Sequence, residues 1–248
     1  MLPELSGLQW ALVALSGLII GAQKTGVYGI GMIAIPTMAA IFGGRLSTGV
    51  LLPILIVGDV AAVAYYRRNG DVKALLRLLP WALVGIAVGV VFGAEISDTT
   101  FRISIAVVVL VSLALIVLRE RFLSDWEVPH KWWFAAPLGL VGGFATMIGN
   151  AAGPVMALYL LALQVPKKTY IGTAAWFFLI VNLVKVPLHA FVWGTIDAES
   201  LLLDAVVAPA VLLGGLIGVF VVKRIPDKPF RIFVMVVTAA VSIRLFFP

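Results

Sequence analysis

The chain has 248 residues, of which 62% are hydrophobic and 12% are charged, and its mean hydropathy is +1.12. A soluble domain is about half apolar and about a quarter charged, so this composition predicts an integral membrane protein. The net charge of +6 is not carried by a soluble basic domain, which argues against a nucleic-acid partner. The absence of cysteine excludes disulfides and thiolate metal sites, and we predict no metal and no cofactor.

Hydropathy and turn residues divide the chain into eight apolar segments, which predict an all-α membrane protein. Six of them are close to the roughly 20 residues of one helical span. The first and the fifth are much longer. The segments are 6–42, 46–66, 75–93, 100–118, 132–163, 168–193, 201–222 and 230–246.

The two long segments are each interrupted halfway by glycine and polar residues, at 21–31 and at 142–154. Half-helices of about 16 residues reach only about 24 Å, which is less than the roughly 30 Å hydrocarbon core. We therefore predict two re-entrant hairpins, each of two half-helices. Two plain helices kinked at glycine are the alternative, because glycine and proline are ordinary in membrane helices.

The two halves of the chain repeat each other. The segment 96–103 recurs as 225–232, and both copies share an Ile, an Asp and a Phe-Arg-Ile run in the same order. Repeats of this kind are typical of secondary transporters, whose sites lie where the halves meet. We predict a first repeat at 1–118, a cytoplasmic linker at 119–131 and a second repeat at 132–248, each repeat having one hairpin and three transmembrane helices.

Loop charges predict that the second repeat is inverted relative to the first. The loop 67–77 is basic, whereas its counterpart, 197–204, is acidic. The sign also changes between the loop around Asp98 and the basic loop 223–231. By the positive-inside rule, both termini lie outside and the basic loops inside. Arg45 is the one basic residue that this topology places outside.

Polar residues at membrane depth are the candidates for function, because a charge there costs at least about 2.5 kcal/mol. Asn182, Lys185 and His189 share one helix face, and Pro187 predicts a kink between the last two. Asp59 and Asn182 fall at nearly equivalent positions of the two halves. We assign substrate binding to Gln23, Lys24, Thr25, Gly26, Tyr28, Thr146, Met147, Gly149, Asn150, Asn182 and Lys185, and proton coupling to Asp59 and His189.

This set of residues favours an anion as the ligand. A broken helix leaves backbone N–H groups without partners at the start of its second half, and these groups attract negative charge. Glycine lets the backbone approach the ligand closely. Lys24 and Lys185 add full positive charge.

Structural roles remain open for each candidate. Lys24 can extend to the membrane interface, and Lys185 can pair with Asp59. Asn150 and Asn182 can be interhelical hydrogen-bonding residues, and His189 a packing residue. Tryptophans near segment ends are typical of interfacial belts, and we assign Trp81, Trp126, Trp132, Trp133 and Trp193 to them.

At the level of motifs the chain resembles the sulfite exporter TauE/SafE family. The resemblance lies in the glycine-rich tip 21–31, with Thr25-Gly26 and Gly29-Ile30-Gly31, in Pro36, and in the second tip 142–154. It covers nearly the whole chain. The resemblance implies a carrier of small sulfur-containing anions or organosulfonates in the bacterial inner membrane, driven by protons or by the membrane potential.

We therefore expect a secondary transporter, with export as the expected direction. A passive anion channel is the alternative within transport, and an accessory membrane protein is another. An intramembrane aspartyl protease would need a second aspartate facing Asp59. Asp98, Asp197, Asp204 and Asp227 lie at or near segment ends, and no hydrolase or phosphate-binding motif occurs, so we predict no enzymatic activity.

Overall fold

The computed structural model describes residues 4–25, 30–122, 132–163, 165–221 and 227–247, which form helices and short connections with no strand among them. Turns of 3₁₀-helix occur at Ile30–Ile33 and Arg67–Asn69, and a π-helical turn at Leu188–Val192. The α-helices are α1 (Gly7–Thr25), α2 (Ala34–Phe42), α3 (Gly44–Tyr66), α4 (Val72–Glu95), α5 (Asp98–Phe122), α6 (Trp132–Gly149), α7 (Gly153–Ala162), α8 (Lys167–Pro187), α9 (Ala198–Val221) and α10 (Asp227–Arg244).

Six helices in the described part of the chain are long and apolar enough to cross a membrane, which confirms the all-α integral membrane class. They comprise α3, α4, α5, α6, α8 with its π-helical turn, and α9. Five of them coincide with predicted spans. The sixth predicted span corresponds to α10, whose apolar stretch, Met235–Arg244, is shorter. The repeat boundaries stay a prediction, and residues 123–131 of the linker lie outside the described residues.

The second long segment turns back on itself, and whether it is re-entrant stays a prediction. Helix α6 ends at Gly149, residues 150–152 are not helical, and α7 begins at Gly153. The ring of Tyr159, late in α7, stacks on Phe134, early in α6, with centroids 6.2 Å apart. Because α7 returns alongside α6, the alternative of one kinked helix is wrong here. Helix α6 has 18 residues, however, and is longer than the half-helix we expected.

The first long segment also turns back. Helix α1 ends at Thr25 and helical structure resumes at Ile30, with residues 26–29 outside the described part. A Cβ atom at Gly31 would lie 1.8 Å from Oε1 of Gln23, so helical structure resumes directly beside the end of α1.

Helices of opposite halves pack through glycine. A Cβ atom added to Gly21 of α1 would lie 1.9 Å from a backbone oxygen of α9, and one added to Gly214 of α9 would lie 1.9 Å from a backbone oxygen of α1. Helices α4 and α6 meet in the same way at Gly85 and Gly143, with distances of 2.2 and 2.0 Å. Small residues allow this close approach in membranes, where helix association depends on packing.

Helices α3 and α8 lie between these pairs and run antiparallel. Gly49, near the start of α3, lies against Thr195, just after the π-helical turn that continues α8, whereas Gly172, near the start of α8, lies against the end of α3. Asp59 and Asn182 form a hydrogen bond between these two points of contact. An inverted repeat requires equivalent helices to run in opposite directions. The orientation of the two halves in the membrane stays a prediction.

Arg45, at the start of α3, takes part in hydrogen bonds that link it to neighbouring helices. The carboxylate of Asp98 accepts hydrogen bonds from the backbone N–H groups of Gly44 and Arg45, at 3.1 Å each. The Arg45 guanidinium donates to the carbonyl of Ile96 (2.8 Å), just beyond the end of α4. Arg45 thus stabilises a junction between three helices, which accounts for a basic residue on the side predicted to be outside.

Trp193 is not an interfacial residue, contrary to the prediction. It is buried, and its indole N–H donates to the carbonyl of Val90 at 3.2 Å. Trp132 and Trp133 are exposed, Trp81 is half-buried, and Trp126 lies outside the described residues. The predicted disturbance at Pro187 is present, because α8 ends there and the π-helical turn follows.

Candidate functional site

A cavity of about 190 Å³ lies between the two interrupted segments. Both chain breaks contribute to it, together with helices α3, α5, α8 and α10. Most of its lining is apolar. Its polar groups include Gln23 and Lys24 from the first break, Asp59 from α3, Asn150 from the second break and Tyr170 from α8.

Lys24 forms an ion pair with Asp59 at the wall of this cavity. The Nζ atom of Lys24 contacts Oδ1 of Asp59, whose side chain is completely buried, and it lies 4.8 Å from the centroid of the Phe178 ring. Gly58 makes room for the lysine, because a Cβ atom there would lie 2.8 Å from Cγ of Lys24. The alternative that Lys24 extends to the membrane interface is therefore wrong.

Asp59 also joins the two halves of the chain. Its second carboxylate oxygen, Oδ2, accepts a hydrogen bond from Nδ2 of Asn182 at 2.7 Å. These two residues, which hold nearly equivalent positions in the two halves of the sequence, are thus in direct contact between α3 and α8. The amide leaves its own oxygen, Oδ1, to accept from Lys185 at 3.2 Å.

Lys185 is completely buried and is surrounded by neutral oxygen atoms. Besides Asn182, its Nζ donates to the carbonyl of Thr146 (3.0 Å), to Oγ1 of the same residue (3.2 Å) and to Oδ1 of Asn150 (2.5 Å). No carboxylate is among these acceptors. The direct Lys185–Asp59 pair that the sequence left open is not formed, because Lys24 occupies one carboxylate oxygen and Asn182 the other.

Asn150 holds the second break in place. It has φ of 52°, a left-handed conformation that asparagine adopts more readily than most residues, and α6 ends there. Its Oδ1 faces Lys185, and its Nδ2 donates to the carbonyl of Thr48 at 3.2 Å. The next helix, α7, begins with Gly153, and Gly153 and Pro154 line the cavity.

These contacts make one continuous network whose charges do not cancel. Lys24, Asp59, Asn182, Lys185 and Asn150 follow one another through the hydrogen bonds just described. Two lysines and one aspartate leave a formal charge of +1. Oriented oxygens compensate a buried ammonium only in part, so a bound anion is one way to match the charge.

The predicted substrate-binding residues separate into three groups. Gln23, Lys24 and Asn150 line the cavity, together with Asp59, which we had assigned to proton coupling. Thr146, Asn182 and Lys185 lie behind the wall and hold it by hydrogen bonds. The other predicted residues are not brought to the cavity wall, or are not described: Met147 packs in the core against Gly89, Gly149 packs near Ile105, Gly26 and Tyr28 lie outside the described residues, and so does the side chain of Thr25.

His189 lies away from the cavity wall, in the π-helical turn after Pro187. It is completely buried, its Nδ1 lies 2.8 Å from Oγ1 of Thr195, and its ring packs edge-on against Trp193. These contacts match the packing role that the sequence left open.

Several cavity residues gave no signal in the sequence. Met32, Met156, Tyr170 and Phe178 line the cavity, but each lies in an apolar run with no feature to distinguish it. Gly58 did carry a signal, since a glycine directly before a membrane-embedded aspartate indicates a close neighbour.

Asp204 is deeper than its place near a segment end suggested. It is buried in α9, and neither carboxylate oxygen has a hydrogen-bond partner among the described residues. Both oxygens of Asp59, in contrast, are bound by Lys24 and Asn182, so Asp59 faces no second carboxylate there. A shared proton between two aspartates, which protease chemistry requires, has no counterpart in this geometry.

The model of one protein family matches the chain over residues 13–245, which is nearly its whole length. That model is described as sulfite exporter TauE/SafE. Comparison with curated proteins and with solved structures found no match. The match agrees with the broken segments, the membrane-spanning helices and the resemblance noted in the sequence. The chain is a multi-pass membrane protein and belongs to the TauE/SafE sulfite exporter family, a family of membrane transporters.

Proposed function

We propose that this chain is a secondary transporter that exports a small sulfur-containing anion, such as sulfite or an organosulfonate, across the bacterial inner membrane. The observation that carries the proposal is the buried network at the cavity, which holds two lysines, Lys24 and Lys185, and a single carboxylate, that of Asp59. An anion bound beside Lys24 and Asn150 supplies the missing negative charge. The description of the matched family supports both the class of substrate and the direction.

The two hairpins suit alternating access. Each tip is held by side-chain contacts, Lys24 of the first to Asp59 and Asn150 of the second to Lys185, and not by a continuous helix. Along α8 the cavity extends from Phe178 back to Tyr170, toward the end that the topology places inside. We assign this arrangement to an inward-open state. Movement of the tips past α3 and α8 then exposes the same groups to the other side.

Asp59 is the group that we propose for proton coupling. Protonation of its carboxylate removes the charge that holds Lys24, which frees the ammonium for the anion and raises the formal charge of the network to +2. Proton binding and anion binding thereby favour each other, so proton and anion move in the same direction and export follows the outward gradient of the anion. His189 has no such link to the anion, since it lies away from the cavity wall.

Flux of radiolabelled sulfite in proteoliposomes tests this proposal. We expect saturable flux that a pH gradient drives, and Asp59→Asn should still move the anion down its own gradient but no longer accumulate it in response to the pH gradient. Asn69→Asp, an isosteric change in the loop between α3 and α4, serves as a control and should transport normally. Flux that never saturates and that ignores the pH gradient would instead identify a passive anion channel.

A further inference from the structure

The size of the cavity is the first clue to the kind of anion. About 190 Å³ is the space of several water molecules. A bare oxyanion such as sulfite fills only part of it and leaves the remainder to water. Water is poorly held there, because most of the surrounding surface offers no hydrogen bonds.

The distribution of polarity is the second clue. The charged residues Lys24 and Asp59 are linked through the hydrogen-bond network to the polar Asn150, and together they form the polar side of the cavity. The rest of the lining consists largely of apolar side chains from α2, α3, α5, α7 and α10, and the 3₁₀ turn before α2. Met32, Met156 and Met235 are among them, and methionine adapts to hydrocarbon groups of different shape. The cavity is therefore amphipathic, with a cationic side and a hydrocarbon side.

The charge count is the third clue. With Asp59 ionised, the network has a formal charge of +1, which one negative charge neutralises. A dianion leaves a second charge facing an apolar wall, where burial of an unmatched charge is costly. A singly charged ligand matches the site while Asp59 is ionised.

We propose that the transported anion is an organic monoanion with a hydrocarbon body, whose charged head lies at Lys24 and Asn150 and whose body lies against the methionine-lined wall. This proposal rests on the proposed transport function and narrows its substrate. It favours an alkane- or arenesulfonate with several carbon atoms over sulfite itself.

Binding of a series of n-alkanesulfonates to the purified protein tests the proposal. Calorimetry should show the dissociation constant falling about fourfold for each added methylene, the factor that corresponds to ~0.8 kcal/mol per buried CH₂, until the cavity is full. Ethanesulfonate should bind more tightly than ethane-1,2-disulfonate. A dissociation constant that does not depend on chain length, or tighter binding of sulfite than of pentanesulfonate, would overturn the proposal.

A variant of the apolar wall tests whether the dependence on chain length arises in the cavity or in the detergent. Ala157, one turn into α7, lines the cavity, so Ala157→Leu should remove the gain for the longer chains. The smaller Ala157→Val should remove part of the gain, and it replaces the leucine variant if that one does not fold. Ala11→Leu, on the exposed face of α1, is the matched control. Equal chain-length dependence in all these proteins would place the effect outside the cavity and contradict the proposal.

The same series separates this proposal from the transport function on which it rests. Saturable sulfite flux without any preference for longer chains leaves the transport function intact. It refutes only the proposal that the anion has a hydrocarbon body. Failure of sulfite and of every sulfonate to bind or to move refutes both.

Discussion

Asn150→Asp is the change that addresses the charge of the site most directly. Asparagine and aspartate have nearly the same shape, and Oδ1 of Asn150 already accepts from Lys185 at 2.5 Å. The new carboxylate therefore forms an ion pair with Lys185 without a rearrangement of α8. The formal charge of the network falls from +1 to zero, and the attraction for an anion falls with it.

The size of the effect follows from the interactions that change. A hydrogen bond to a charged group contributes about 1.5–3 kcal/mol, so the anion's dissociation constant should rise roughly tenfold to over a hundredfold. The hydrogen bond from Nδ2 of Asn150 to the carbonyl of Thr48 is also lost, at a cost of about 1 kcal/mol in the free energy of unfolding. That cost is small enough for the variant to fold.

A second substitution restores the charge and should restore binding. Asp59→Asn in the Asn150→Asp background returns the formal charge to +1, with the single carboxylate now beside Lys185 and Lys24 released toward the cavity. The assay is anion affinity by calorimetry or by competition with labelled anion. Asn69→Asp makes the same change of side chain away from the cavity, so it controls for the effect of an added carboxylate elsewhere in the protein.

Two results would refute the reasoning. Unchanged affinity in folded Asn150→Asp would show that the charge of the network does not hold the anion. Failure of the double variant to recover, with both proteins folded, would show that local geometry and not the total charge decides affinity.

Three other predictions follow from the same structure. A single cysteine at Asp197 should react with a membrane-impermeant thiol reagent from the outside, and one at Arg68 only from the inside; labelling of the Asp197 position from the cytoplasm alone would contradict the inverted topology. Lys24→Met should lower stability by about 3–5 kcal/mol, because it leaves the buried Asp59 unpaired, and adding Asp59→Asn should recover most of the loss in thermal unfolding. Gly143→Leu should prevent folding, because even its Cβ would lie 2.0 Å from a backbone oxygen of α4.

Matched controls make these outcomes specific. Asn182→Ala tests whether the loss of any partner of Asp59 destabilises equally. It removes a neutral amide and leaves the Lys24–Asp59 ion pair in place, so it should cost less than Lys24→Met. Gly142→Ala, beside Gly143, places its Cβ 3.4 Å from the nearest atom and should be tolerated. Equal damage from Gly142→Ala and Gly143→Leu would argue against close packing of α4 on α6.

The helices and the two breaks could be predicted from the sequence because each depends on local signals. An apolar run of about 20 residues has few alternatives in a bilayer, and the glycine-rich interruptions at 21–31 and 142–154 are visible without a structure. The length of α6 was less predictable, because the break falls at Asn150, near the end of the interrupted stretch.

Partner choice within the site could not be predicted. The sequence indicated that Lys24, Lys185 and Asp59 lie at membrane depth, and it left a Lys185–Asp59 pair open. Which lysine reaches the carboxylate depends on the register between α1 and α3, fixed by contacts such as that of Gly58 with the Lys24 stem. The π-helical turn at Leu188–Val192, in which His189 lies, is likewise not indicated by periodicity alone.

The central claim is that the anion lies between the two chain breaks, beside Lys24 and Asn150. A crystal structure with a bromoalkanesulfonate tests it directly, because bromine can be located by anomalous scattering. We predict a bromine peak within the cavity near Met156, with the sulfonate toward Lys24. A peak outside the cavity, for example beside the buried carboxylate of Asp204, would contradict the account.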